Sequence, residues 1–186
     1  MAKTQVIGTS ELKAKFEALD EAVRGETLAA ATLAGGMVLL NKARKNIKDL
    51  GLIRTRTLSR SLSQKVVEQS ATAVAVEVGT NLEYAAIQEY GGTVTAKKSK
   101  YLAIPLTKTA RGAGSPRNFP LTLHLVKGGS GNLVLVSDEG QAHYVLKTSV
   151  TIPARPYLRP AFDDNKEEIR AAIGDAIKTL ILKAAE

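Results

Sequence analysis

Residues 151–160 read Thr-Ile-Pro-Ala-Arg-Pro-Tyr-Leu-Arg-Pro, and no other stretch restricts the chain so tightly. Pro153, Pro156 and Pro160 each lock φ and remove a backbone donor. Each also pushes the residue before it away from the helical region. Neither a helix nor a central strand can run through such a segment, so it is a stiff, extended connector. Before it, residues 144–152 alternate as a strand does. After it comes an amphipathic segment that predicts a terminal helix, with Pro160 suited to its first position. The connector displays Arg155 and Arg159 on a rigid backbone beside Tyr157 and Leu158. It is either an elbow with solvated arginines or an inter-subunit elbow whose arginines pair with a neighbour's carboxylates.

Whatever this elbow joins must have an aliphatic core. Apolar residues make up 44% of the 186 residues, aromatics only 4%, and there is no tryptophan. A chain of this length makes one domain, or one domain with an arm, and buries roughly two-thirds of its unfolded surface. The absence of cysteine excludes a disulfide framework and a thiolate metal site, and it fits cytosolic synthesis. The longest apolar run, residues 28–40, is broken by Thr32, Gly35 and Gly36, so no membrane span is expected. No basic region followed by an apolar one opens the chain, so no secretory signal is expected either.

The net charge of +8 is unevenly placed. No acidic residue lies between Glu89 and Asp138, an interval that holds Lys97, Lys98, Lys100, Lys108, Arg111, Arg117 and Lys127. Residues 151–186 are neutral, with six basic and six acidic side chains. The middle of the chain is therefore either a solvated basic loop or a patch that attracts phosphate without reading sequence.

Apolar spacing and breakers predict the remaining elements. Ser10 caps a first helix carrying Leu12, Phe16, Leu19 and Val23, which Gly25 ends. A long helix over residues 26–49 follows, with Leu33, Met37, Leu40 and Ile47 as its stripe, cations in its last turns, and Gly51 as its stop. The Ala-Gly run over residues 29–36 would let another helix approach closely. Residues 54–62 form a basic, hydroxyl-rich turn or short helix. Strands are expected over 63–68 and 73–78, then a helix over 82–90 with Tyr84, Ile87 and Tyr90 turned inward. Residues 93–96 and 101–106 read as a hairpin around the basic turn 97–100, and residues 107–118 as a mobile polar loop. Three strands are expected over 121–127, 133–137 and 142–152. In the terminal helix Phe162, Ile169, Ile173 and Ile177 share a face, and Asp163, Asp164, Glu167 and Glu168 favour its start. The fold class is α+β: a mainly antiparallel sheet packed against the long helix and the C-terminal helix, with β-hairpin insertions.

No constellation for catalysis stands out. His124 and His143 are on predicted strands without ligand spacing, and the glycines at 128–131 lack the Lys-Ser/Thr of a phosphate loop. No Gly-x-Ser-x-Gly is present. The carboxylates at 163–168 point to different faces of a helix, so they make no metal or acid/base cluster.

Three motifs in order carry a resemblance: Leu82-Glu83-Tyr84-Ala85-Ala86-Ile87-Gln88-Glu89-Tyr90-Gly91, then Tyr101-Leu102-Ala103-Ile104-Pro105, then Ile152-Pro153-Ala154-Arg155-Pro156-Tyr157-Leu158-Arg159-Pro160-Ala161. Together they resemble the neck, tail-completion or minor tail proteins of the head–tail joint of tailed bacteriophages. Arg56-Thr57-Leu58-Ser59-Arg60-Ser61-Leu62 is similar to the family's arginine-leucine-serine turn, but lacks the usual glycine after the threonine. The resemblance covers residues 26–186 as one α+β domain, with 1–25 a helical arm and 107–150 an elaboration. It implies a virion structural protein that forms a homo-oligomeric, hexameric ring between the head connector and the tail tube or tail terminator. It implies no enzyme activity and no cofactor. It favours the inter-subunit reading of the elbow, with Arg155, Tyr157, Arg159, Glu89 and Tyr90 at the subunit interface. Lys97, Lys98, Lys100, Lys108, Arg111 and Arg117 would then face DNA in the lumen or an acidic neighbour. The rival function is a free basic nucleic-acid-binding protein without sequence preference, for which only Tyr101 supplies an aromatic among the lysines.

Overall fold

The computed structural model describes residues 17, 25–70, 72–97, 99–129 and 131–184. The helix expected over 10–23 therefore lies outside the described residues apart from Glu17, as does Lys98. In chain order the elements are α1 (Glu26–Asp49), α2 (Thr57–Ser61), β1 (Ser63–Gln69), β2 (Val74–Gly79), α3 (Ala85–Tyr90), β3 (Gly92–Thr95), β4 (Leu102–Pro105), α4 (Lys108–Ala113), a 3-10 turn (Pro116–Asn118), β5 (His124–Lys127), β6 (Leu133–Val136), β7 (Ala142–Lys147), β8 (Ser149–Ile152), α5 (Leu158–Asp163) and α6 (Lys166–Ala184). All strand pairs are antiparallel, and the class is α+β as the sequence predicts. The chain forms two compact units, Met1–Tyr90 with Arg155–Glu186, and Gly91–Ala154.

The first unit is built on α1. The helix stops where a glycine lets it: Gly51 takes φ 65°, its N–H bonds to Lys48 O at 3.0 Å, and Leu52 N–H bonds to Ile47 O at 3.0 Å. This pair of bonds satisfies terminal carbonyls while Leu52 folds back toward the core that holds Ile47. Two partners press on α1. A Cβ at Gly35 would stand 2.6 Å from Ile173 Cγ1 of α6, and one at Gly36 would meet Gln64 Oε1 and Val76 Cγ1 of the β1–β2 hairpin. The close helix approach expected of the Ala-Gly run is present, and a hairpin uses the same run. Because both partners meet the small residues, Ala31, Leu40, Ala43 and Ile47 are buried while Met37, expected in the stripe, is exposed. Ala43, Ile47, Leu58, Leu62, Ala85, Tyr157 and Ala161 form the core.

The C-terminal segment is two helices where one was expected. Asp164 N–H still bonds to Pro160 O, but Asn165 turns its side-chain amide onto Ala161 O at 3.0 Å and its carbonyl accepts from Ile169 N at 2.9 Å, opening α6. This break buries Ala161 and leaves Phe162 exposed, against the single apolar face predicted. Pro160 is the third residue of α5, not its first, a position where an absent N–H still costs no helical bond.

The second unit corrects three sequence expectations. Residues 92–95 and 102–105 do not form a hairpin with each other. They pair with successive halves of residues 142–152, which Thr148 divides: β3 with β8 (Gly92↔Ile152) and β4 with β7 (Leu102↔Lys147). Residues 96–101 are thus a crossover extruded from a long ladder. Residues 107–118 are ordered: Thr107 caps α4 by accepting from Ala110 N at 3.2 Å, and Tyr144 donates to Ala110 O at 3.0 Å over the cluster of Ala110, Phe119 and Tyr144. The strand expected from residue 121 begins only at His124, at the edge of the four-stranded sheet β4-β7-β6-β5, and Leu121 and Leu125 are exposed. Gly91, at φ 69°, admits the chain's close return, because a Cβ there would lie 2.7 Å from Ala154 N.

Gly35→Leu should destabilise the chain by about 2 kcal/mol, the overpacking cost exceeding the gain in helix propensity. Gly174→Ala, in a helical position with no atom within 4 Å of the new methyl, should stabilise it by up to about 1 kcal/mol. Urea midpoints at unchanged slope measure both.

Candidate functional site

The elbow is held by a carboxylate from elsewhere in the chain. On α3, positions 85 and 89 share a face, and that face turns inward. Glu89 is 6% exposed, while Tyr84 and Tyr90, expected inside, are 44% and 67% exposed. The inversion has a polar cause. Glu89 Oε2 accepts from Tyr157 N–H at 2.8 Å and Leu158 N–H at 2.9 Å, and Oε1 accepts from Arg159 N–H at 2.9 Å. These are the donors that open α5 and lack helical acceptors. The residue at the cap position, Tyr157, makes no side-chain capping bond, so Glu89 supplies the acceptor and its negative charge suits the helix start. Two more bonds fix the segment: Arg155 N–H to Gln88 O at 2.7 Å, and Asn46 Nδ2 to Tyr157 O at 3.0 Å.

All five residues expected at a subunit boundary thus meet within one chain. Glu89 and Tyr157 are inside it. Tyr90, Arg155 and Arg159 are on its surface, with the Arg159 guanidinium 5.6 Å from the centre of the Tyr90 ring. Burial, and then the nearby Glu89 charge with smaller effects of Tyr90 and Tyr84, pushes the Tyr157 phenol up to about 12. Sequence reasoning missed the capping role of Glu89. The available signal was a helix start whose own residue, Tyr157, has no short acceptor. It missed Arg44 as well, whose guanidinium donates to Ser59 O and Leu62 O at 3.2 Å and anchors α2 to α1. Arg56, at the start of α2, sits at φ 60°. A left-handed arginine costs roughly 1–2 kcal/mol.

The described basic side chains of this segment are exposed. Lys97 and Lys100 lie in the crossover, with Lys100 Nζ 5.6 Å from the Tyr101 ring centre. Lys108 and Arg111 are three apart on α4, and Arg117 is in the 3-10 turn. Residues 91–154 carry eight basic and two acidic side chains, so most of the net charge belongs to the second unit. Its histidines serve structure. His124 Nε2 pairs with Asp138 Oδ1 at 2.6 Å on the surface. His143 is buried, packs at a tilt against Phe119 and bonds through Nδ1 to Thr107 Oγ1 at 3.1 Å. Among the described residues no group of three or more His, Asp or Glu could hold a metal, and no helix is long and apolar enough to cross a membrane.

Glu89→Gln should cost about 1.5–3 kcal/mol, since an amide turns two donors toward three N–H groups and keeps one acceptor. Arg155→Ala should change single-chain stability by less than about 0.5 kcal/mol, its side chain being exposed. Both are read by urea unfolding. The folded chain holds the Tyr157 proton to about pH 12, whereas an unfolded tyrosine releases it near 10.0. Stability from this group is intact below pH 10.0 and is lost as the pH rises toward 12. Tyr157→Phe should remove that part of the alkaline loss, measured as unfolding midpoint against pH.

Searches of curated proteins and of solved structures returned no match. The turn at 54–62 and the Glu-Tyr-Gly motif lie inside the span that a family model matches, and the motifs at 101–105 and 152–161 lie outside it. Residues 10–91 match the HK97-gp10-like family model, described as "Bacteriophage HK97-gp10, putative tail-component", a match consistent with the resemblance that the chain's motifs carry.

Proposed function

We propose that the protein is a virion component of the bacteriophage head–tail joint, closing as a homo-oligomeric ring through which DNA passes between the head connector and the tail tube or terminator. The observation that carries this reading is the latched elbow inside a chain whose residues 10–91 match a phage tail component. The latch holds the backbone of residues 155–159 by five hydrogen bonds and leaves Arg155 exposed and Arg159 beside Tyr90. A rigid display of this kind lowers the ordering cost of a protein contact. In this reading Arg155, Arg159 and Tyr90 meet the neighbouring subunit, and Glu89 and Tyr157 brace them from within. Particles carrying Arg155→Ala with Arg159→Ala should stall as separate heads and tails. Full infectivity of that double variant, or one isolated copy per particle by cryo-electron microscopy, would reject the ring contact.

The charge of the second unit supports a sequence-blind contact with duplex DNA in the lumen through Lys97, Lys98, Lys100, Lys108, Arg111 and Arg117. Binding should be weak and should fall steeply between low and physiological salt. Changing Lys97, Lys98 and Lys100 to glutamine should reduce the slope of log affinity against log salt by up to about 3, while assembly persists. If the triple variant fails to assemble and DNA binding is undetectable in the parent, the patch docks an acidic protein neighbour instead.

A further inference from the structure

At the C-terminal end of α1 the first unit holds an open groove of about 450 Å³ that the latch does not use. Ile47, Leu52 and Leu58 form its floor, with Ile53 and Tyr84 exposed on its walls. Its mouth carries Arg54 and the left-handed Arg56 among threonine and serine hydroxyls, and no acidic residue lines it. The charge there is uncompensated. No acidic residue occurs between Asp49 and Glu68, and among the described residues no ion pair or side-chain hydrogen bond engages Arg54, Arg56 or Arg60. An apolar floor under unpaired guanidiniums suits a segment that inserts aliphatic or aromatic side chains and sets carboxylates at the rim.

This chain contains such a segment. Residues 10–23 place Leu12, Phe16, Leu19 and Val23 at helical spacing and include Glu11, Asp20 and Glu21. Glu89 is taken up by the latch, and Asp163, Glu167, Glu168, Glu77 and Asp138 by ion pairs. The matched family span, residues 10–91, begins with this segment and contains the groove. Reach decides whose groove it fills. From Glu26 to Ile47 α1 rises about 32 Å. If residues 10–23 are helical, as their spacing predicts, Phe16 to Arg24 spans only about 12 Å, and only the extended chain would reach its own groove.

We propose that segment 10–23 of one copy docks in the groove of a second copy, Phe16 on the apolar floor and Asp20 or Glu21 against Arg54 and Arg56. The docking rests on the reading that the chain self-associates, and it gives that association a head-to-tail direction, as ring closure needs.

The absence of native cysteine makes the test direct. Phe16→Cys and Ile53→Cys chains are mixed, oxidised, and separated without reductant, both as purified full-length protein at high concentration and in assembled particles. The expected result is a Phe16→Cys to Ile53→Cys dimer that exceeds either homodimer. Arg54→Glu with Arg56→Glu should abolish it, and Asp20→Arg with Glu21→Arg in the partner should restore it. Circular dichroism of each variant controls for folding. Absence of the mixed dimer in both settings overturns the docking, and so does a purely intrachain bond in a chain carrying both cysteines. Protection of the Ile53→Cys thiol from labelling by single-stranded DNA, with no mixed dimer, would assign the groove to nucleic acid and overturn it too. Native mass spectrometry separates the two ideas. A closed ring without the cross-link sinks the docking alone, and the cross-link in open oligomers sinks the ring alone.

Discussion

Three backbone N–H groups at the start of α5 converge on one carboxylate, Glu89, and the arrangement of the first unit depends on that convergence. A buried charge with no cation beside it is normally costly. Here both oxygens accept short, charge-assisted bonds from donors that would otherwise be unpaired, so two liabilities cancel. The prolines make the cancellation effective. Pro153 and Pro156 stiffen the incoming chain, so little conformational entropy remains to be lost when the latch closes. Once closed, it places Tyr157 and Ala161 against Ala43 and Ile47 of α1, where the unit's core lies.

The same helix supplies nearly every other fixed point. Arg44 holds α2 by two carbonyls, Asn46 holds the elbow by one, and the Gly35–Gly36 pair receives α6 on one side and the β1–β2 hairpin on the other. The Lys42–Glu168 pair adds an exposed ionic contact at 2.6 Å, which contributes little next to the packing. A hub of this kind must be small where it is crowded, which is why alanine and glycine occupy positions that an isolated amphipathic helix would give to leucine.

The family match divides along the chain as charge does. The family match ends at residue 91, where the first unit gives way to the second. The matched span carries the core, the latch and the groove. The second unit, outside the match beyond its first residue, holds most of the positive charge. That separation leaves the matched span and the main concentration of positive charge in different units.

Local features were legible in the sequence because their causes are local. The limits of α1 follow from Gly25, Gly51 and a 3.6-residue rhythm, and the break at 153–157 follows from ring closure in proline. The arginine-rich turn and the acid-free interval could likewise be read directly from residue identity. Only the tertiary structure decided what those features touch. A helix as short as α3 shows no rhythm strong enough to choose its buried face, and hydrophobicity alone would bury Tyr84 and Tyr90. The choice fell to Glu89 because its acceptors are needed 68 to 70 residues away. Residues 92–105 have the composition of a hairpin, yet pair with 142–152, since a strand's pattern fixes which face is apolar and leaves its partner open. Spacing and conformational restriction act within a few residues and are written in order along the chain; hydrogen-bond satisfaction and close packing join residues that only the folded chain brings together.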